Sequence, residues 1–219
     1  HYDDAMKSLP NLKTGITINR VEVWVTNKSG TTSNTRNIVA LTDLGENERV
    51  SRTDLWGTGI GQVPTNNANT EYNTITQGYP AARNIDQVTD GAGLVGGNDY
   101  EKIANARLLN SSEYTVNPSL VYISLRSGLQ TDQVLAVAYE YTFGGVTYQV
   151  GEFASDRTDI NEALFVKSLK NTNNSPSQGN WGLMMKNVYY LSTNIEKDKF
   201  RLDVKYQSDT TGVYLSYIP

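Results

Sequence analysis

Apolar and polar positions alternate along several stretches of the chain, and a period of two predicts strands. Between Thr17 and Thr26, Val21, Val23 and Val25 point one way, while Glu22 and Trp24 point the other. Asn27-Lys28-Ser29-Gly30 has turn chemistry, and Arg36 to Asp43 reads as a returning strand. The strongest local signal runs from Val134 to Phe153, where two alternating runs are joined by Gly144-Gly145. Two glycines between such runs predict a tight hairpin, because a two-residue primed turn needs positive φ. Pairing Phe143 with Val146 then sets Tyr141 opposite Tyr148 and Tyr139 opposite Val150. Leu120–Arg126 and Leu164–Leu169 add strands. Phe200–Gln207 alternates so that Phe200, Leu202, Val204 and Tyr206 are expected to face a core. Ser208 to Gly212 is expected to turn the chain into a last strand, and Leu183–Leu191 fits strand or helix equally.

Two segments carry a helical pattern. Asp3 to Leu9 predicts a short helix stopped by Pro10. Asn98 begins another: Asn98 and Glu101 have capping-box spacing, and Tyr100, Ile103, Ala104 and Leu108 share a face as far as Asn110. Between them, residues 57–98 are rich in Gly, Asn and Thr, carry Pro64 and Pro80, and show no period. That stretch reads as a long polar loop or surface insertion, positioned to cover a sheet edge or meet a partner. The expected fold is α+β and β-rich, mostly antiparallel sheet with hairpins plus one or two short helices. It is read as one extramembrane domain over residues 1–219.

Composition narrows the chemistry. The 219 residues are 38% hydrophobic and 19% charged, a globular balance. The net charge of −4 comes without a basic stripe, so nucleic acid is not an expected partner. There is no cysteine, which removes thiol nucleophiles, disulfides and thiolate-bound metals, and the single histidine is His1. A Ser-His-Asp site is therefore not expected. No run approaches the roughly 18 apolar residues of a membrane helix. The chain opens with neither an initiator methionine nor a signal-peptide pattern and ends inside an apparent strand, so a fragment of a longer polypeptide is expected.

The remaining motifs are weak as catalytic signals. Gly91-Ala92-Gly93-Leu94-Val95-Gly96 has dinucleotide-motif letters, but the polar Asn84–Asp90 precedes it where a buried strand is required. Gly57-Thr58-Gly59-Ile60-Gly61 fails for the same reason. Glu140 and Glu152 suggest a carboxylate pair, yet the hairpin register puts Glu140 opposite Gln149 on one face and Glu152 opposite Val137 on the other. Each reads as a solvated or edge charge. Asp156, Asp159 and Glu162 lack calcium-loop spacing, and Arg157 interrupts them. No cofactor and no metal site is expected. The candidate interaction surface is aromatic: Trp24, Trp56, Tyr72 and Tyr79. Trp24 is either exposed on a sugar-stacking face or packed on a second layer or against the long loop.

Several long strings resemble the SprA/Sov family. They are Ala5–Gly15, Arg20–Asn27, Thr35–Asp43, Asn105–Asn110, Val137–Tyr141, Tyr148–Phe153 and Trp181–Val188. The resemblance implies part of the outer-membrane translocon of type IX secretion in Bacteroidetes, a very large β-barrel that passes folded cargo to the surface and supports gliding. It implies no catalytic residues. Its partners would be the rest of the barrel, secreted cargo and plugging or gating subunits, with membrane contact only through the parent barrel. With a mean hydropathy of −0.47 and a long polar loop, the chain does not read as barrel wall. An extramembrane domain on either side of the outer membrane is expected, with a cell-surface glycan- or protein-binding module as the alternative.

Overall fold

The computed structural model describes residues 2–8, 15–46, 51–57, 63–87, 93–185, 191, 194–196 and 198–217. It divides into two compact units, residues 1–184 and 185–219. The fold is β-rich and mostly antiparallel, with hairpins and short helical segments, as the alternation predicts.

In the larger unit, α1 (Tyr2–Lys7) precedes β1 (Ile16–Val25) and β2 (Thr35–Leu41). Then come α2 (Glu71–Gly78), a 3-10 turn at Pro80–Arg83, and β3 (Tyr100–Leu108). A small hairpin, β4 (Tyr114–Asn117) and β5 (Tyr122–Leu125), leads to β6 (Leu135–Phe143), β7 (Val146–Val150) and β8 (Leu164–Lys170). The main sheet runs β1-β3-β2-β8-β6-β7, and β1 also pairs with β6. The pairings β1–β3, β3–β2, β2–β8, β8–β6 and β6–β1 therefore close a ring of five strands, a small barrel, with β7 attached outside the ring. Among these strands β2 and β8 pair in parallel, and the other pairings are antiparallel.

The interior of a five-strand ring is narrow. Every ring strand sends residues into one apolar cluster that contains Trp24, Ile38, Ile103, Leu164 and Val166. Ala40, Ala106, Ala136 and Ala138 lie in the same cluster. Small residues from three strands leave the volume that the one indole fills, the large-with-small packing that small barrels require.

Both outer faces are covered. Val39 and Leu41 of β2, Phe165 of β8 and Val150 of β7 form a second cluster with Leu44, Trp56, Ile75, Ala82 and Leu94. Val23 and Val25 of β1 and Val137 of β6 form a third, packed against Tyr114, Ile123, Leu125 and Leu129. Strands buried on two faces read as nearly continuous apolar runs, which is why Asn37-Ile-Val-Ala-Leu41 and Leu164-Phe-Val166 hardly alternate.

The β6–β7 register is the predicted one: Phe143 pairs with Val146, Tyr141 with Tyr148, Tyr139 with Val150 and Glu140 with Gln149. Gly144 and Gly145 have φ of 58° and 80°, as a primed turn demands.

Three expectations are corrected. The Asn98–Asn110 helix is strand β3. Asn105, at φ 53°, sits at an irregularity where two residues of β3 oppose one of β2. That bulge places Ile103 and Ala106 in the same interior cluster, so a three-residue spacing imitates a helical face. The 57–98 stretch, read as a loop, holds α2 and the 3-10 turn. Its described residues cap the β2, β8 and β7 faces, and Asn66 bonds the β7 edge at Gln149 and Gly151. It lacks a period because its buried apolar residues among those described, Ala68, Ile75, Ala82 and Leu94, are widely scattered. Among the described residues of the smaller unit, β9 (Tyr206–Gln207) and β10 (Tyr214–Leu215) pair, across a turn in which Ser208 N donates to Val213 O at 3.0 Å. Phe200, Leu202 and Val204 are 50%, 57% and 78% exposed, and they precede the ribbon without pairing in a strand, so the expected core-facing strand is shortened to Tyr206–Gln207. Of Leu183–Leu191, residues 186–190 lie outside the described residues, as do Gly91 and His1.

Candidate functional site

A dense polar constellation in the larger unit gathers around Glu152. The chain leaves β7 through Gly151, at φ 76°. A Cβ there would stand 3.1 Å from the Ala138 Cα and the Val137 carbonyl oxygen, so only glycine allows this approach. The turn carries Glu152 away from β6 and onto β8. Its amide donates to the Phe165 carbonyl at 2.8 Å, and Oε2 accepts from the Phe165 amide at 2.9 Å.

The carboxylate is 2% exposed and saturated. Arg83 donates Nη1 to Oε2 at 2.8 Å and Nη2 to Oε1 at 2.7 Å, the bidentate geometry in which guanidinium and carboxylate match best. Tyr72 Oη donates to Oε1 at 2.6 Å, and Arg157 Nη2 donates to it at 3.2 Å. Arg83 also stacks over the Phe165 ring at 4.3 Å and donates to the Ala163 carbonyl at 3.1 Å. Burial by itself would raise the Glu152 pKa. The hydrogen bonds from Arg83, Tyr72 and the Phe165 amide, with the Arg83 charge, outweigh it and hold the group below the ordinary carboxylate range. Burial and the bond to Glu152 push the Tyr72 hydroxyl up to about 12. Five donors occupy the roughly four lone-pair sites of a carboxylate. Glu152 thus has no free acceptor for a substrate, and it clamps the cap (Tyr72, Arg83) to β8 and to the segment holding Arg157.

Beside this clamp lies a cavity of about 400 Å³, lined by Arg83, Asn84, Ile85, Asp86, Asp159 and Asn161 among others. Asp159 is engaged locally, accepting from the Asn161 amide at 2.9 Å. Asp156 accepts from the Phe153 amide at 2.9 Å and from Gln149 Nε2 at 2.7 Å. The acidic run is therefore turn and cap chemistry.

A second polar cluster pins the start and end of the cap. Asp43 accepts from the Ser51 and Arg52 amides at 2.9 and 2.7 Å. Asp99 accepts from Arg52 Nη1 at 2.7 Å and the Val95 amide at 2.9 Å. Lys167 pairs with Glu46 at 2.7 Å and donates to the Thr42 carbonyl. Glu71 is 1% exposed among them, and neither of its oxygens has a hydrogen-bond partner among the described residues. Burial, then the nearby Asp43 charge, raise its pKa well above the usual range against the opposing pull of Lys167.

The predicted aromatic surface is not assembled. Trp24 is 1% exposed inside the barrel, and Trp56 is 3% exposed beneath the cap, in a different cluster. An indole enclosed on all sides offers no face for a sugar ring, so the stacking platform is corrected to core packing. Tyr72 and Tyr79 are half-buried against the cap cluster, and Tyr72 belongs to the clamp. Glu140 accepts from Asn19 Nδ2 at 3.1 Å and has no part in the clamp. Glu152, read as a solvated or edge charge, is instead a buried ion-pair partner, because Gly151 ends the β6 register that was extended to it. Arg83 was missed. Its only local signal is an apolar Pro80-Ala-Ala setting, in which a charged side chain needs a buried partner. Compared with known proteins, the chain matches no family model and no curated protein sequence.

Proposed function

We propose that the chain is a non-catalytic structural domain of a large outer-membrane translocon of the type IX secretion kind, which exports folded cargo to the cell surface. One observation carries the reading. The strings that resemble the SprA/Sov family fall on the elements that make the framework: Arg20–Asn27 on β1, Thr35–Asp43 on β2, Asn105–Asn110 on β3, Val137–Tyr141 on β6, and Tyr148–Phe153 on β7 and the clamp. The use of the buried carboxylate Glu152 agrees with a scaffold, since its acceptor capacity is consumed in holding one layer to another. No helix among the described residues is long and apolar enough to cross a membrane. The partners in this reading are the remainder of the translocon barrel, passing cargo, and plugging or gating subunits.

The test is secretion of a type IX cargo by cells whose translocon lacks residues 16–184, with barrel abundance in the outer membrane measured alongside. Cargo retained in the periplasm at normal barrel abundance is the expected result. Normal secretion and surface display with the domain absent would overturn the reading.

A further inference from the structure

The layer over β1 and β6 borders a separate, open cavity of about 330 Å³ that the scaffold role leaves unused. Its floor is apolar: Val25 and Leu109 are buried, and Leu125 and Leu129 are half-buried. Small-molecule sites are concave, mostly apolar and oriented by a few polar groups, in volumes of roughly 300–1,000 Å³.

Three charged residues line it: Arg107, Glu113 and Arg126. The first two satisfy each other, Arg107 Nη1 donating to both Glu113 oxygens at 2.9 and 2.8 Å. Glu113 also accepts from the Asn110 amide at 2.9 Å, and that bond is the main cause holding its carboxyl below the usual range. Arg126 is different. Its amide donates to the Glu113 carbonyl at 2.9 Å, which fixes the backbone, while its guanidinium has no hydrogen bond or ion pair among the described residues. The cavity therefore joins an apolar floor to one uncompensated positive charge, with the Ser127 hydroxyl beside it.

We propose that this cavity binds a short apolar group that ends in a carboxylate. The apolar part lies on Val25, Leu109, Leu125 and Leu129, and the carboxylate meets the Arg126 fork, whose donors suit a planar anion. One cation beside an apolar floor favours a singly charged carboxylate over a phosphate, whose higher charge draws several cations. A free short-chain acid and the last residue of a polypeptide both present this chemistry. The proposal stands apart from the translocon reading, because it needs only the folded chain.

The experiment is titration of the 219-residue chain with hexanoate, N-acetyl-leucine and N-acetyl-leucinamide, followed by backbone amide NMR shifts. Expected are shifts centred on Leu109 and on Leu125 to Leu129, and binding of N-acetyl-leucine at least about tenfold tighter than its neutral amide, a difference of about 1.4 kcal/mol. Arg126→Gln, at an exposed position, leaves the rest of the spectrum unchanged and abolishes that tenfold preference. Tighter hexanoate identifies a free acid as the ligand type, and tighter N-acetyl-leucine a polypeptide end. The proposal is overturned if neither acid shifts these residues, if the amide binds as well as the acid, or if Arg126→Gln leaves acid affinity intact.

Discussion

The barrel is covered by two layers that adhere by different physics. Over β2, β8 and β7 the cap is polar in sequence, and its few apolar anchors are supplemented by ion pairs: the buried pair Arg83–Glu152, half-buried Arg52 on buried Asp99, and buried Lys167 on half-buried Glu46. Over β1 and β6 the β4–β5 hairpin adheres through apolar side chains such as Ile123 and Leu125, with Tyr114 Oη donating to the Val21 carbonyl at 3.3 Å. An apolar layer tolerates loss of one contact by degrees. A charge-clamped layer does not, because removing one partner strands the other in a low-dielectric interior.

Breaking the clamp is the sharpest test of that contrast. Arg83→Ala leaves Glu152 buried with its bidentate partner gone, and the expected loss is about 3–5 kcal/mol. Hydrogen exchange should then rise across 71–83 while β4 and β5 keep their protection. Equal loosening of both layers would mean that they unfold as one unit. Ile123→Ala should produce the reverse picture at smaller cost. Its half-buried side chain predicts about 1–2 kcal/mol by denaturant titration, with exchange rising in β4 and β5 and not in α2.

The most specific test concerns Glu71. Its folded-state pKa is raised above the ordinary 4.5. The folded chain therefore holds a proton that the unfolded chain releases, and the stability this contributes is full below about 4.5 and falls as pH rises toward the folded value. Glu152 has the opposite sign: its lowered pKa contributes stability above the ordinary 4.5 that is lost as pH falls through the folded value. Glu71→Gln should remove the alkaline loss alone, so the variant gains on the parent as pH increases from 5 to 9 while keeping the acid limb set by Glu152. A parallel shift of the whole profile would show that Glu71 is ionised and partnered in solution.

What the sequence alone determined was local. Gly144-Gly145 can turn only one way with positive φ, and that turn fixed every β6–β7 pair from Phe143–Val146 to Tyr139–Val150. The parity of Val21, Val23 and Val25 against Trp24 separated two faces of β1, and those faces are the third cluster and the barrel interior. Where a residue's surroundings come from distant segments, the same reasoning ran out. The alternation shows that Trp24 opposes the valines, but only ring closure by β6 turns that side into an interior. The bulge at Asn105 depends on β2 lying alongside, so β3 alone spells a helix. Glu152 and Arg83 are 69 residues apart and meet only when the cap folds onto β8. Side-chain period is a property of one strand and its immediate turn. Closure, capping and the pairing of buried charges are properties of the whole chain, since a buried charge is tolerated only where a distant segment supplies its counter-charge.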